Sequence, residues 1–193
     1  MSLPHVILTV LSHRDATGYD ITKEFTRSVG FFWKASHQQV YRELGKLADQ
    51  AAVSCKLEPQ DGKPDRKVYS ITAAGKAALY QWFQQPTKQT TYRDELSAKL
   101  LTCAVFDTKP MIEHLNDMVD DVRSSLSQLR DIENTRYSNP AMLSREARLE
   151  RLTLRRGIFN REAWLGWSQE VLEELHQMNQ QETESNVFAV NHS

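Results

Sequence analysis

Apolar positions along the first fifty residues recur at helical spacing and are punctuated by capping signals. Val6, Ile7, Val10 and Leu11 share one face of a short first helix. Thr17-Gly18-Tyr19-Asp20 is a Thr-x-x-Asp cap, in which the threonine oxygen accepts an orphan helix N–H. The helix it opens is predicted to turn Tyr19, Ile21, Phe25 and Val29 inward and to stop near Gly30. Ser36-His37-Gln38-Gln39 is a second box, Ser-x-x-Gln, opening a helix whose apolar set is Val40, Leu44 and Leu47. A short segment anchored by Phe31, Phe32 and Trp33 joins the two capped helices. The outline is a helix-turn-helix.

The period then changes from 3.6 to 2. Val53, Cys55 and Leu57 alternate with Ser54, Lys56 and Glu58, which puts Cys55 on the inward face as a packing residue. Alternation resumes with Lys67, Tyr69 and Ile71 against Arg66, Val68 and Ser70. Between them, Pro59 to Asp65 reads as a loop of about seven residues holding an Asp-Gly turn. Thr72 caps a further helix, predicted to bury Leu79 with one or both of Trp82 and Phe83 and to end before Pro86. Three helices, a hairpin and a helix are the order of a winged helix.

The rest reads as helical. Leu115, Val119, Val122, Leu126 and Leu129 step by four and three, an a/d seam. Asp107 and Pro110 mark its start, and Tyr137-Ser138-Asn139-Pro140 its end. A last helix from Met142 to about Met178 carries Leu154, Ile158, Leu165, Leu172 and Leu175 on one seam, with a second stripe beside it. A stripe that wide exceeds what one antiparallel neighbour covers, and a second copy of the protein is its simplest cover. The seam residues are therefore read as dimerisation residues. The expected fold class is mainly α: a winged helix-turn-helix with a two-stranded hairpin wing, followed by a helical dimerisation domain of long helices. Its expected divisions are a winged-helix domain at 1–86, a linker at 87–93, the helical domain at 94–178 and a frayed polar tail at 179–193.

Composition narrows the function classes. The 193 residues carry 24 Lys+Arg against 25 Asp+Glu, a net charge of -1 that excludes a polybasic coating protein. The charge is divided unevenly: residues 1–86 carry +3 and the remainder -4. Two distant cysteines, Cys55 and Cys103, make neither a disulfide framework nor a CxxC pair, and point to a reducing compartment. No stretch approaches the ~20 apolar residues of a membrane span, and the opening lacks a secretory signal's basic start. A cytoplasmic protein without membrane contact is expected.

Double-stranded DNA is the partner that fits the first half, because a helix fits the major groove with its first turn against base edges. With Val40, Leu44 and Leu47 inward, Ser36, His37, Gln38, Tyr41 and Arg42 are left outward or at the rim, flanked by Lys34 and Lys46. Gln pairs with adenine N6/N7, His and Arg donate to guanine O6/N7, and Tyr suits a phosphate or a thymine methyl. The hairpin tip adds Lys63, Arg66 and Lys67, suited to the sugar–phosphate backbone, diluted by Glu58, Asp61 and Asp65. An ordinary solvated helix and a plain surface hairpin are the competing readings. The two features in the right order are more specific together.

The stretch His5-Val6-Ile7-Leu8-Thr9-Val10-Leu11 with Gly18-Tyr19-Asp20-Ile21 resembles the opening of PadR-family transcriptional regulators. So do Trp33 and Gln39-Val40-Tyr41-Arg42-Glu43-Leu44-Gly45-Lys46-Leu47, then Gly62-Lys63-Pro64-Asp65-Arg66-Lys67-Val68-Tyr69-Ser70-Ile71-Thr72 and Gly75. The resemblance covers roughly residues 3–85, and the longer second half is similar to the helical region of the virulence-activator subgroup. It implies a homodimer on an inverted repeat, with C-terminal helices that dimerise and sometimes hold an effector. One departure stands out: Ala51-Ala52 occupies the place where the family usually has Gly. A left-handed Ala there costs on the order of 1 kcal/mol, unless the helix ends differently.

Six arginines, Arg145, Arg148, Arg151, Arg155, Arg156 and Arg161, crowd the last helix, with Glu146, Glu150 and Glu162 among them. The preceding helix carries Glu113, Asp117, Asp120 and Asp121; ion pairing between helices or subunits is the first reading, and an anionic ligand or the DNA backbone the second. Phe159, Trp164 and Trp167 are read first as packing and second as the lining of a site for a small aromatic or anionic effector. No cofactor, metal or catalytic motif is present: His5, His13, His37, His114, His176 and His192 show no ligand spacing, and GxxxxGK[ST], GxGxxG and GxSxG are missing. A non-enzyme is expected. A protein-interaction scaffold built on a winged helix and a coiled-coil arm remains the alternative to a DNA-binding regulator.

Overall fold

The computed structural model describes the backbone of residues 3–27, 33–60, 63–87 and 93–190, with the side chains of residues 60, 63, 64 and 182–190 outside the description. The expectations for Val29 to Phe32, the Asp61-Gly62 turn, the Lys63 side chain and most of the linker fall outside it. The chain forms two compact units, Met1–Gln89 and Thr90–Ser193.

In the first unit, α1 (Leu3–His13), α2 (Gly18–Arg27), α3 (His37–Asp49) and α4 (Ala73–Gln84) surround a three-stranded antiparallel sheet of β1 (Ala16–Thr17), β2 (Val53–Gln60) and β3 (Lys63–Ile71). The strand order is β1-β3-β2. Ile7, Leu8, Leu11, Ile21, Phe25, Val40, Leu44, Leu47, Val53 and Tyr69 form one buried core. Both caps are present. Thr17 Oγ1 accepts from Asp20 N–H (3.1 Å) while Asp20 Oδ2 accepts from the Thr17 hydroxyl (2.6 Å) and backbone N–H (3.1 Å). Ser36 Oγ accepts from Gln39 N–H (3.3 Å), and Gln39 Oε1 from Ser36 N–H (2.9 Å).

Of the two endings left open at Ala51-Ala52, α3 takes the left-handed one. The φ of Ala51 is 55°. Ala51 N–H donates to Ala48 O and Ala52 N–H to Leu47 O, both at 2.9 Å, which is the Schellman pair of bonds with alanine where glycine is usual. The turn is tied to α4: the Thr72 hydroxyl donates to Ala51 O (2.7 Å), and a Cβ on Gly75 would stand 2.1 Å from Ala52 O. Only a glycine lets α4 approach this closely.

Several expectations are corrected. Tyr19 is 62% exposed, because it lies two residues, about 200°, from buried Ile21. Cys55 and Leu57 are both exposed: Cys55 pairs with the core residue Tyr69 but lies on the edge strand β2, and Leu57 pairs further out with exposed Lys67. The strands also extend further than the expected seven-residue loop allows, pairing up to Gln60↔Lys63. Pro59 is tolerated because β2 is an edge strand with an irregularity between Glu58 and Gln60. On α4, Leu79 is half-buried against the core, but neither aromatic is buried: Trp82 stacks on His5 (centroids 4.9 Å apart, planes 13°) yet is 39% exposed, and Phe83 is 75% exposed.

The second unit contains α5 (Glu95–Thr102), α6 (Lys109–Arg136) and α7 (Arg145–Val190), with a 3-10 turn at Pro140–Met142. α6 begins where Asp107 Oδ1 accepts from Lys109 N–H (2.8 Å) and Pro110 occupies the first turn; Tyr137 ends it. α7 folds back antiparallel: Thr108 reaches Asn179, Ser125 meets Arg161, and Glu133 meets Arg151. Gly157 of α7 faces α6, its would-be Cβ 3.3 Å from Leu129 Cδ1. The backbone of α7 continues through Val190 instead of fraying from residue 179, since Asn179 to Val190 contains no proline or glycine to stop it. No helix among the described residues is long and apolar enough to cross a membrane.

Candidate nucleic-acid interface

The Ser36 box starts α3 abruptly, so its first turn is held while one face is fixed by Val40, Leu44 and Leu47. The opposite face is left outward. Lys34, Ser36, His37, Gln38, Tyr41, Arg42 and Lys46 are all exposed, as their spacing predicted. Gln38, Arg42 and Gly45 form one outward row, with Tyr41 beside it. Lys46 is held by Glu43 (3.2 Å), which offsets part of its charge. Ser36 serves the helix itself, since its side-chain oxygen accepts from the backbone, and its own O–H is left to donate elsewhere.

On the hairpin, Glu58 and Arg66 stand opposite each other, and Arg66 Nε and Nη2 both donate to Glu58 Oε2 (2.9 and 2.7 Å). Arg66 thus has a carboxylate partner before any phosphate arrives. Lys67 is exposed on the neighbouring position, and the Lys63 side chain lies outside the described residues. A contact with no signature in the local pattern joins α3 to α2: the Tyr41 ring lies against Gly18. Burial and neighbouring Cys55 push the Tyr69 hydroxyl upward in pKa.

The second unit distributes its candidates differently from the sequence expectation. Leu115, Val119, Leu126, Leu129, Leu154, Ile158 and Leu172 are buried, and Val122 and Leu165 half-buried, within one chain. The seam read as a dimer contact is the inside of the α6–α7 pair, because α7 of the same chain supplies its cover. The acid that α6 offers the arginines is Glu133, at 2.8 Å from Arg151 and 3.7 Å from Arg155. Antiparallel folding sets the arginine-rich start of α7 beside the end of α6, away from Glu113, Asp117, Asp120 and Asp121. Glu150 accepts from the Tyr137 hydroxyl (3.1 Å), and burial beside this carboxylate pushes that phenol up to about 12.

Trp164 and Trp167 pack against the core of the helix pair, with ring centroids 6.2 Å apart. Phe159 is exposed beneath the Arg155 guanidinium, 5.0 Å from the ring centroid. Phe159 is thus exposed where the two tryptophans are half-buried. An open groove of about 440 Å³ is lined by Pro140, Leu143, Arg148, Arg151 and Leu152, and another of about 330 Å³ by Cys103, Phe106, Pro110, Met111 and His114. Neither includes them. Among the described residues, no group of three or more His, Cys, Asp or Glu side chains is placed to hold a metal ion.

Comparison with known proteins agrees with this division into two units. Residues 7–81 match the transcriptional regulator PadR-like family, and residues 92–176 match the virulence activator alpha C-terminal family. The chain is 32% identical over 187 residues to a probable transcriptional regulator of Mycobacterium tuberculosis (strain ATCC 25618 / H37Rv), covering 92% of this chain and 99% of that protein. It is similar to the structure of the Vibrio cholerae virulence activator AphA, at 55% identity and a TM-score of 0.82, covering 92% of this chain and 99% of that one. It is also similar to Bacillus subtilis PadR in complex with operator DNA, at 25% identity and a TM-score of 0.81, covering 89% and 97%. With both halves matched in order and a relative aligned almost end to end, the chain belongs to the PadR-like family of transcriptional regulators.

Proposed function

We propose that this regulator binds an inverted-repeat operator as a homodimer, entering the major groove with α3. His37, Gln38 and Arg42 read base edges, while Tyr41, Lys34, Lys46, Lys63, Arg66 and Lys67 hold phosphates. The observation that carries the reading is the outward face of α3: a capped helix with a fully buried apolar side presents His37, Gln38, Tyr41, Arg42 and Lys46 on its exposed side. The B. subtilis relative crystallised with operator DNA supports it. Charge sets the style of binding. With a head of only +3, and Lys46 and Arg66 already paired with Glu43 and Glu58, the phosphate contacts contribute less counterion release than unpaired cations would, and sequence is read at base edges.

The homodimer is supported by what the α6–α7 pair leaves uncovered. Leu149, Leu152 and Phe159 step by three and seven along α7 and remain exposed, a second seam free for another copy. Two heads so joined meet half-sites about one DNA turn (~34 Å) apart.

Gel-shift titration at two salt concentrations, against the gene's own upstream region, tests the reading. A discrete shift that persists at the higher salt is expected. The head's small net charge is the observation that favours a protein-interaction scaffold, and failure to shift any duplex at low salt would select that alternative.

A further inference from the structure

We infer that Gly18 is a positioning residue for DNA binding: its bare Cα is the seat on which the Tyr41 ring rests with its hydroxyl aimed at a phosphate. The inference builds on the reading that the outward face of α3 meets a duplex. Gly18 is the first residue of α2, immediately after the Thr17 cap, yet it is buried. A Cβ on Gly18 would stand 2.5 Å from Tyr41 Cε1, 2.7 Å from Cζ and 3.1 Å from the hydroxyl oxygen, so the ring edge lies directly on the α2 backbone. Gly18 has no positive φ, and conformational freedom is not the reason for glycine there. Space is.

Tyr41 is 48% exposed, so the ring that is clamped on one edge faces outward on the other. It is the neighbour of Arg42 and lies one turn from Gln38, within the face assigned to DNA. Its hydroxyl lies beside the first turn of α2, where the helix dipole favours an anion. A rigid tyrosine whose O–H is already aimed removes the ordering cost that a freely rotating side chain incurs on binding.

The test uses the full chain, duplexes of selected and scrambled sequence, and a salt series, with thermal unfolding as a control. Gly18→Ala displaces the ring while improving the local helix former. It is expected to weaken both duplexes alike by about tenfold and to leave the salt slope unchanged, because a neutral hydroxyl releases no counterion. In a Tyr41→Ala background, where the added methyl has room, Gly18→Ala is expected to cost nothing further. Tyr41→Phe keeps the ring seated and removes only the hydroxyl; it carries the test if Gly18→Ala fails to fold, with a loss of the same order expected. Wild-type affinity in Gly18→Ala or Tyr41→Phe, or equal losses from Gly18→Ala in both backgrounds, would overturn the inference. Arg42→Ala separates the two levels: if it weakens binding and Gly18→Ala does not, only the positioning role falls; if neither it nor Tyr41→Ala matters, the reading of α3 falls too.

Discussion

Two positions of α3 and its C-terminal turn violate local preference. Gly45 lies inside α3 on the outward row, with no atom within 4 Å of where its Cβ would be, and Ala51 takes the left-handed position that ends the helix. Gly45→Ala and Ala51→Gly should each raise stability by about 1 kcal/mol, read as a higher unfolding midpoint in urea. Asp20 illustrates the opposite case, a satisfied cap. The Thr17 hydroxyl bond holds its carboxyl below the usual 3.8. A folded-state value below the unfolded one means the bond's stabilisation is complete above about pH 4 and is lost as pH falls through the folded value. Asp20→Asn should therefore lower stability by about 1 kcal/mol at neutral pH and flatten its decline in acid, as urea melts across pH 3–6 would measure. Caps of this kind were legible in the sequence because four adjacent residues determine them. The left-handed Ala51 is one of the two helix endings that the family pattern left open. The Tyr41–Gly18 contact was not legible, since the two residues come from separate helices and nothing local marks their meeting.

At the level of elements, periodicity predicted what is buried better than against what. Val40, Leu44 and Leu47 fell on the buried face of α3 because a single period defines that face. The seam of α6 is equally periodic, but a sequence repeat does not say whether the covering helix comes from the same chain. The structure supplies α7 of the same chain. Leu154, fully buried in that pair, is the sharpest test: Leu154→Ala should cost about 2–5 kcal/mol in thermal or urea unfolding of the protein. The two-residue β1 carries too short a pattern to be read, and period two does not tell that Cys55 and Leu57 stand on an edge strand and stay exposed. On the wing, Lys67→Ala should weaken selected and scrambled duplexes alike and lessen the salt slope, the mark of a phosphate contact.

For the whole molecule, the proposed operator binding would need both units: the first to supply a reading helix and the second to pair two copies of it. Leu149, Leu152 and Phe159 form the apolar row that the α6–α7 pair leaves exposed. Leu149→Asp combined with Leu152→Asp should yield a folded monomer by sedimentation and lose most operator affinity, since each half-site then binds alone. A dimer that survives both changes would place the contact elsewhere. All of this depends on side chains of the outward face of α3 interrogating base edges, which can be checked by selecting duplexes from random DNA with the wild-type protein and with Arg42→Ala. The wild type should enrich an inverted repeat, and the variant the same repeat relaxed at one symmetric base position in each half-site. An identical consensus from both proteins, or no enrichment by either, would show that α3 does not read the operator.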